Sequence, residues 1–84
     1  MKILYFAWIR ERTGIAQEEV DLPGEIKTVE GFLNWLKTRG EEFDYALENP
    51  SAVRVALDRE HCSDFSQPLA GVNEIALFPP MTGG

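Results

Sequence analysis

Reactive side chains are scarce in this sequence. It holds one cysteine, Cys62, and one histidine, His61, and the two are adjacent. A lone cysteine closes no internal disulfide, and this pair does not supply the spaced soft ligands of a zinc site. Positive charge is also short: eight Lys and Arg stand against fourteen Asp and Glu, for a formal net charge of −6. That deficit argues against nucleic acid and against an anionic membrane surface as partners, and favours a protein partner with a basic face. Long hydrophobic runs are missing too. The longest, Ile3 to Ile9, spans seven residues, whereas a bilayer crossing takes about 20. The N-terminus lacks the basic start and small-residue cleavage site of an export signal, so the cytoplasm is the expected location. No nucleophile has a base beside it in a local catalytic motif, and the glycines at 14, 24, 31, 40 and 71 are isolated, so no phosphate loop is expected. Neither a bound cofactor nor a metal is expected.

What remains fits one domain over residues 1–84. A hydrophobic content of 44% with 26% charged residues excludes a disordered chain. A chain this short buries only about 60–65% of its unfolded surface, so the core must be small. Lys2 to Ile9, rich in β-branched and aromatic residues, predicts a strand buried on both faces. Gly14 suits a turn or a helix end. Gln17 to Leu22, with Val20 and Leu22 on one face, predicts a half-exposed strand and, after so short a connection, a hairpin with the first. Pro23-Gly24 marks a turn.

Thr28 is placed to cap a helix whose apolar stripe is Val29, Phe32, Leu33 and Leu36. Lys37 and Arg39 would lie in its last turn, with Gly40 as the residue that ends it. Glu41 to Leu47 predicts a shorter helical turn with Phe43 and Leu47 inward. Ala52 to Leu57 predicts a strand with Val53, Val55 and Leu57 on one face. Asp58-Arg59 gives a turn and Glu60 to Cys62 a brief return strand, with Cys62 a small buried hydrophobe. An irregular stretch follows, anchored by Leu69. Glu74 to Phe78 is the last strand, ended by Pro79-Pro80, which cannot donate ladder hydrogen bonds. The order of elements predicts an α+β fold, a mixed sheet packed on one main helix.

The feature that carries chemistry is the end of the sequence, Phe78-Pro79-Pro80-Met81-Thr82-Gly83-Gly84. Two terminal glycines remove side-chain bulk and widen backbone freedom. From Pro80 onward an extended, flexible tail could reach roughly 17 Å. A narrow tunnel in another protein could admit Pro80, Met81, Thr82 and Gly83 and present the carboxylate of Gly84 to a reagent. Adenylation by ATP would turn that carboxylate into a good acyl donor. Attack by sulfide would then leave a terminal thiocarboxylate, a compact sulfur donor on an arm. Phe78 and Leu77 point to opposite faces of the last strand, which favours Phe78 as an interface anchor. Phe6 is read as core.

The opening Lys2-Ile3-Leu4-Tyr5-Phe6-Ala7-Trp8-Ile9-Arg10-Glu11 with Gly14, and the close Asn73-Glu74-Ile75-Ala76-Leu77-Phe78-Pro79-Pro80-Met81-Thr82-Gly83-Gly84, resemble the small-subunit family of molybdopterin synthase. The resemblance implies a β-grasp, ubiquitin-like fold and a sulfur-donating subunit that is not itself catalytic. It implies adenylation of Gly84 by a ubiquitin-activating-like adenylyltransferase that uses ATP, thiocarboxylation with sulfur from a sulfurtransferase, and insertion of the tail into the large synthase subunit. There, sulfur passes to cyclic pyranopterin monophosphate to build the dithiolene of molybdopterin. The implied assembly is a heterotetramer. It also places Arg10 and His61 at the partner interface beside Phe78. The sequence departs from the family pattern at Leu57-Asp58, where Val-Asn is usual, and at His61, where an apolar residue is usual. A thiamine-pathway sulfur carrier, a ubiquitin-like protein modifier and a binding module with an inert tail are the competing readings.

Overall fold

The computed structural model describes residues 1–80. Five strands form one mixed sheet: β1 (Lys2–Tyr5), β2 (Gln17–Glu19), β3 (Arg54–Leu57), β4 (Glu60–Cys62) and β5 (Glu74–Phe78), in the order β2-β1-β5-β3-β4. β1 and β5 run parallel at the centre and every other pairing is antiparallel. Helices α1 (Ala7–Thr13), α2 (Val29–Lys37) and α3 (Glu41–Ala46), with a 3-10 turn at Pro50–Ala52 that delays the expected strand from Ala52 to Arg54, complete the described elements. This is the α+β, β-grasp arrangement that the resemblance implies.

The core lies between one face of the sheet and the helices. Ile3, Tyr5, Val55, Leu57, Ile75 and Leu77 point inward from the strands, and Val29, Phe32, Leu33 and Leu36 meet them from α2. The expected α2 stripe is buried in full. Thr28 caps the helix as expected, its hydroxyl accepting from the Gly31 N–H at 3.1 Å. The Val29 and Glu30 N–H groups donate to the Gln67 and Phe65 carbonyls, so the loop after β4 seals the same helix end. Phe43 and Leu47 are buried beneath α3, and Leu69 anchors the irregular stretch. Cys62 is buried as expected, and its thiol donates to the Asp64 carbonyl at 3.2 Å.

Four expectations are corrected. The first strand stops at Tyr5, and residues 7–13 form a helix instead of continuing it. The chain reverses at Ala7, which takes a left-handed φ of 53°. Ile9 and Thr13, spaced i and i+4, then face the core, and Gly14 closes the helix at φ 83° with its N–H on the Arg10 carbonyl. β1 and β2 do pair antiparallel, but a helix joins them, not a short hairpin loop. β2 is also shorter than expected, because pairing within the named strand ends at Glu19, though the Val20 N–H still reaches the Met1 carbonyl at 2.9 Å. Finally, Gly40 does not end α2. Thr38 does so in a right-handed conformation, with its hydroxyl on the Trp35 carbonyl at 2.6 Å, and Gly40 precedes α3 as its N-cap.

Candidate functional site

Strand alternation divides the sheet into a buried face and an outer face. The cross-strand register aligns the outward residues in rows. At one end stand Glu19, Lys2 and Glu74. The middle row is Gln17, Leu4, Ala76, Ala56 and His61. At the other end Phe78 stands opposite Arg54, and the parallel register of Tyr5 with Leu77 brings Phe6 beside Phe78. The Phe6 N–H donates to the Leu77 carbonyl at 3.0 Å, one bond beyond the last paired residue of β1.

Phe78 is half-buried on this outer face, as its alternation with the fully buried Leu77 requires. His61 is exposed beside it, with ring centroids 6.2 Å apart at an interplanar angle of 59°. Phe78 and His61 are therefore brought together. Arg10 is exposed on α1, at the same end of the sheet, but no contact joins it to either ring among the described residues. Pro80 is half-buried. The expected roles of Met81, Thr82, Gly83 and Gly84 fall outside the described residues.

The expectation for Phe6 is corrected: it is 46% exposed. Because Ile3 and Tyr5 point inward, alternation alone sends Leu4 and Phe6 outward. Reading the run to Ile9 as one strand buried on both faces hid that signal. The outer face thus carries a second large aromatic ring at the point where β5 gives way to Pro79-Pro80.

On the inner side of the same sheet edge lies a clasp. The Tyr5 hydroxyl donates to Glu18 Oε2 at 2.7 Å and Arg39 Nη1 donates to the same oxygen at 2.6 Å. Burial, then the bond to Glu18, pushes the Tyr5 hydroxyl well above the usual tyrosine range. Burial alone would raise the Glu18 carboxyl, but the bonds from Arg39 and Tyr5 outweigh it and hold the carboxyl low. The bond to Glu18 raises the Arg39 guanidinium against the opposing effect of burial. These shifts reinforce an ion pair that ties β1 and β2 to the end of α2. They produce no group poised for proton transfer near neutral pH.

A groove of about 240 Å³ lies on the helical side between α2 and the start of β3, lined by Glu30, Leu33, Lys37, Leu47, Val53 and Phe65. Its charged lining residues, Glu30 and Lys37, stand near opposite ends of α2. Among the described residues no three His, Cys, Asp or Glu side chains are placed to hold a metal ion, and no helix is long and apolar enough to cross a membrane. What the described chain offers at this end of the sheet is an outward aromatic surface beside the start of its own C-terminal segment.

Known proteins share this plan along their whole length. Two bacterial proteins named molybdopterin synthase sulfur carrier subunit align with all of this chain and 99% of their own, one from Escherichia coli at 32% identity and one from Haemophilus influenzae at 30%. The crystal structure of SAMP1 from Haloferax volcanii superimposes with a TM-score of 0.72 at 28% identity, covering 100% of this chain and 98% of that one. The ThiS family matches residues 3–84, which takes in both central strands, the outer-face aromatics and the terminal glycines, and the chain belongs to that family.

Proposed function

We propose that the protein is a sulfur carrier and serves as the small subunit of molybdopterin synthase. The observation that carries this reading is the exit of β5 through Pro79-Pro80 beside an outward cluster of Phe6, Phe78 and His61. A partner seated on that cluster would receive the following residues directly into its own active site. The full-length likeness to two sulfur carrier subunits supports the same assignment.

In this reading the folded domain aims the tail and performs no chemistry. The Gly84 carboxylate attacks the α-phosphorus of ATP on a ubiquitin-activating-like adenylyltransferase, forming an acyl adenylate and releasing pyrophosphate. Sulfide, supplied through a sulfurtransferase, attacks the acyl carbon, and AMP leaves with the bonding pair. The thiocarboxylate then enters the large subunit through Pro80, Met81, Thr82 and Gly83. Its sulfur attacks a side-chain carbon of cyclic pyranopterin monophosphate, from which an oxygen substituent departs with the bonding pair, and water then cleaves the resulting thioester, leaving sulfur on the pterin and restoring the carboxylate. A dithiolene holds two sulfur atoms, so each product takes two deliveries, which a heterotetramer with a small subunit at each end would accommodate. ATP is consumed on the activating enzyme, and the work takes place in the cytoplasm.

The test is a conversion assay on the pterin precursor with a purified large subunit and thiocarboxylated carrier. Dithiolene product should form at two carriers per molecule, and a chain lacking Gly84 should form none while keeping its fold. A chain lacking Gly84 that converts precursor at the normal rate would exclude the reading.

A further inference from the structure

The outer face of the sheet is sorted by charge, and the sorting runs against the overall composition. Its row farthest from the C-terminal exit holds two carboxylates, Glu19 and Glu74, on either side of Lys2. Its row at the exit holds Phe78 and Arg54, with Arg54 the charged member. In a chain of net charge −6, the end from which the tail departs is the basic end of this face.

The arginines differ in how they are engaged. Arg39 bonds Glu18, and Arg12 lies 3.9 Å from Glu48 with its guanidinium stacked 4.0 Å over the Tyr45 ring. Arg59 lies in the β3–β4 turn, at the opposite end of the sheet. Arg54 and Arg10 have no carboxylate within ion-pair distance among the described residues. Arg54 is nevertheless held in place: its Nη1 donates to the Ser51 carbonyl at 2.9 Å, and its residue pairs across the ladder with Phe78. Among the described residues that bond engages one of the five N–H donors of the guanidinium fork. A side chain fixed at one nitrogen loses less freedom when the rest engages a planar anion.

We propose that Arg54, assisted by Arg10, is a specificity determinant of the docking face, and that the partner receiving the tail carries carboxylates around the mouth of its tunnel. The inference rests on the proposed function and adds the chemistry of the partner surface. It also reverses, at this one place, the basic partner face that net charge alone predicts. An acidic rim would draw the exit end of the sheet toward the mouth by forming bidentate Arg–carboxylate pairs. It would repel the Glu19 and Glu74 end, so the charge sorting sets the direction in which the sheet is seated. Deeper in the tunnel, the terminal carboxylate still requires basic side chains.

The experiment is association kinetics of the full chain with a molybdopterin synthase large subunit, comparing the natural protein with Arg54→Glu, Arg54→Gln, Glu74→Lys and Phe78→Ala. Circular dichroism would verify the fold of each variant. Arg54→Glu should slow association by about tenfold or more, with a smaller loss for Arg54→Gln, and the difference should shrink in high salt. Glu74→Lys should leave association unchanged or slightly faster. If Phe78→Ala weakens binding while Arg54→Glu binds equally well or faster, the rim is not acidic and the inference falls while the proposed function stands. If Arg54→Glu impairs only ATP-dependent loading by the activating enzyme, the guanidinium reads phosphate and the inference again falls. If the natural chain does not bind the large subunit at all, the proposed function falls and takes the inference with it.

Discussion

Phe6 and Phe78 end the two central, parallel strands on the same face of the sheet, tied by the hydrogen bond from the Phe6 N–H to the carbonyl of Leu77. Antiparallel strands would have put one of these rings at each end of the sheet. The parallel pairing puts both where the chain leaves for Pro79, so the apolar surface and the C-terminal segment belong to one structure.

Phe6→Ser and Phe78→Ser should therefore separate binding from folding. Each ring is outside the core, so each change should shift stability in denaturant by less than about 1 kcal/mol. Each should weaken large-subunit binding by about tenfold or more. Leu77→Ala, one residue away and fully buried, should cost about 2–5 kcal/mol in the same denaturation experiment. A Phe6→Ser variant that loses stability as Leu77→Ala does would show that the ring packs inward.

The Tyr5–Glu18–Arg39 clasp predicts how stability depends on pH. The Glu18 carboxyl titrates lower in the folded chain than in the unfolded one. Its contribution is therefore full above the ordinary carboxyl range near about 4.3 and is lost as pH falls through the folded value. Tyr5 is shifted upward, so its contribution holds at neutral pH and begins to fade as pH rises past about 10. Glu18→Gln should destabilise the protein by about 1–2 kcal/mol at pH 7. The gap between the two proteins should close on acidification. Urea melts at pH 7 and at pH 3 measure this, and a gap that widened at pH 3 would assign the clasp the wrong sign.

Asp58 and Arg59 turn the chain between β3 and β4 with φ of 48° and 73°, a conformation that L side chains adopt reluctantly. Arg59→Gly should stabilise the protein by about 0.5–1 kcal/mol, because glycine adopts this φ without strain and the arginine side chain makes no hydrogen bond or ion pair among the described residues. Asp58 differs: its Oδ1 accepts from the Asn73 and Glu74 N–H groups at 3.0 and 2.9 Å, latching the turn to the start of β5. Asp58→Ala should cost about 1–2 kcal/mol. Thermal melts of the two variants should move in opposite directions.

Elements governed by local rules were legible in the sequence. Thr28 with the stripe Val29, Phe32, Leu33 and Leu36 is a complete helix signal, and β5 alternates cleanly until proline stops it. Asp58-Arg59 between two short β patterns marks a reversal. The opening misled because Tyr5, Phe6, Trp8 and Ile9 all favour strands, while the break at Ala7 depends on a tertiary fact. The last ladder bond to Leu77 is spent at Phe6, and Ile9 and Thr13 find the core only if the chain coils. Glycine ends helices more often than it begins them, so the local pattern around Gly40 points to the end of α2 and not to the start of α3. In the candidate site, Phe78 was legible from strand parity, and Phe6 would have been had the strand been cut at Tyr5. Arg54 gave no local signal, since its meaning comes from the register that sets it opposite Phe78.

The central claim is that the carboxyl group of Gly84 is a chemical handle loaded with sulfur by other proteins. Intact-mass measurement after incubation with the activating enzyme, ATP and sulfide tests it most directly. Replacement of one terminal oxygen by sulfur should add about 16 Da, and a chain whose Gly84 is a carboxamide should gain nothing and deliver no sulfur. Full sulfur delivery by the carboxamide chain would contradict the account.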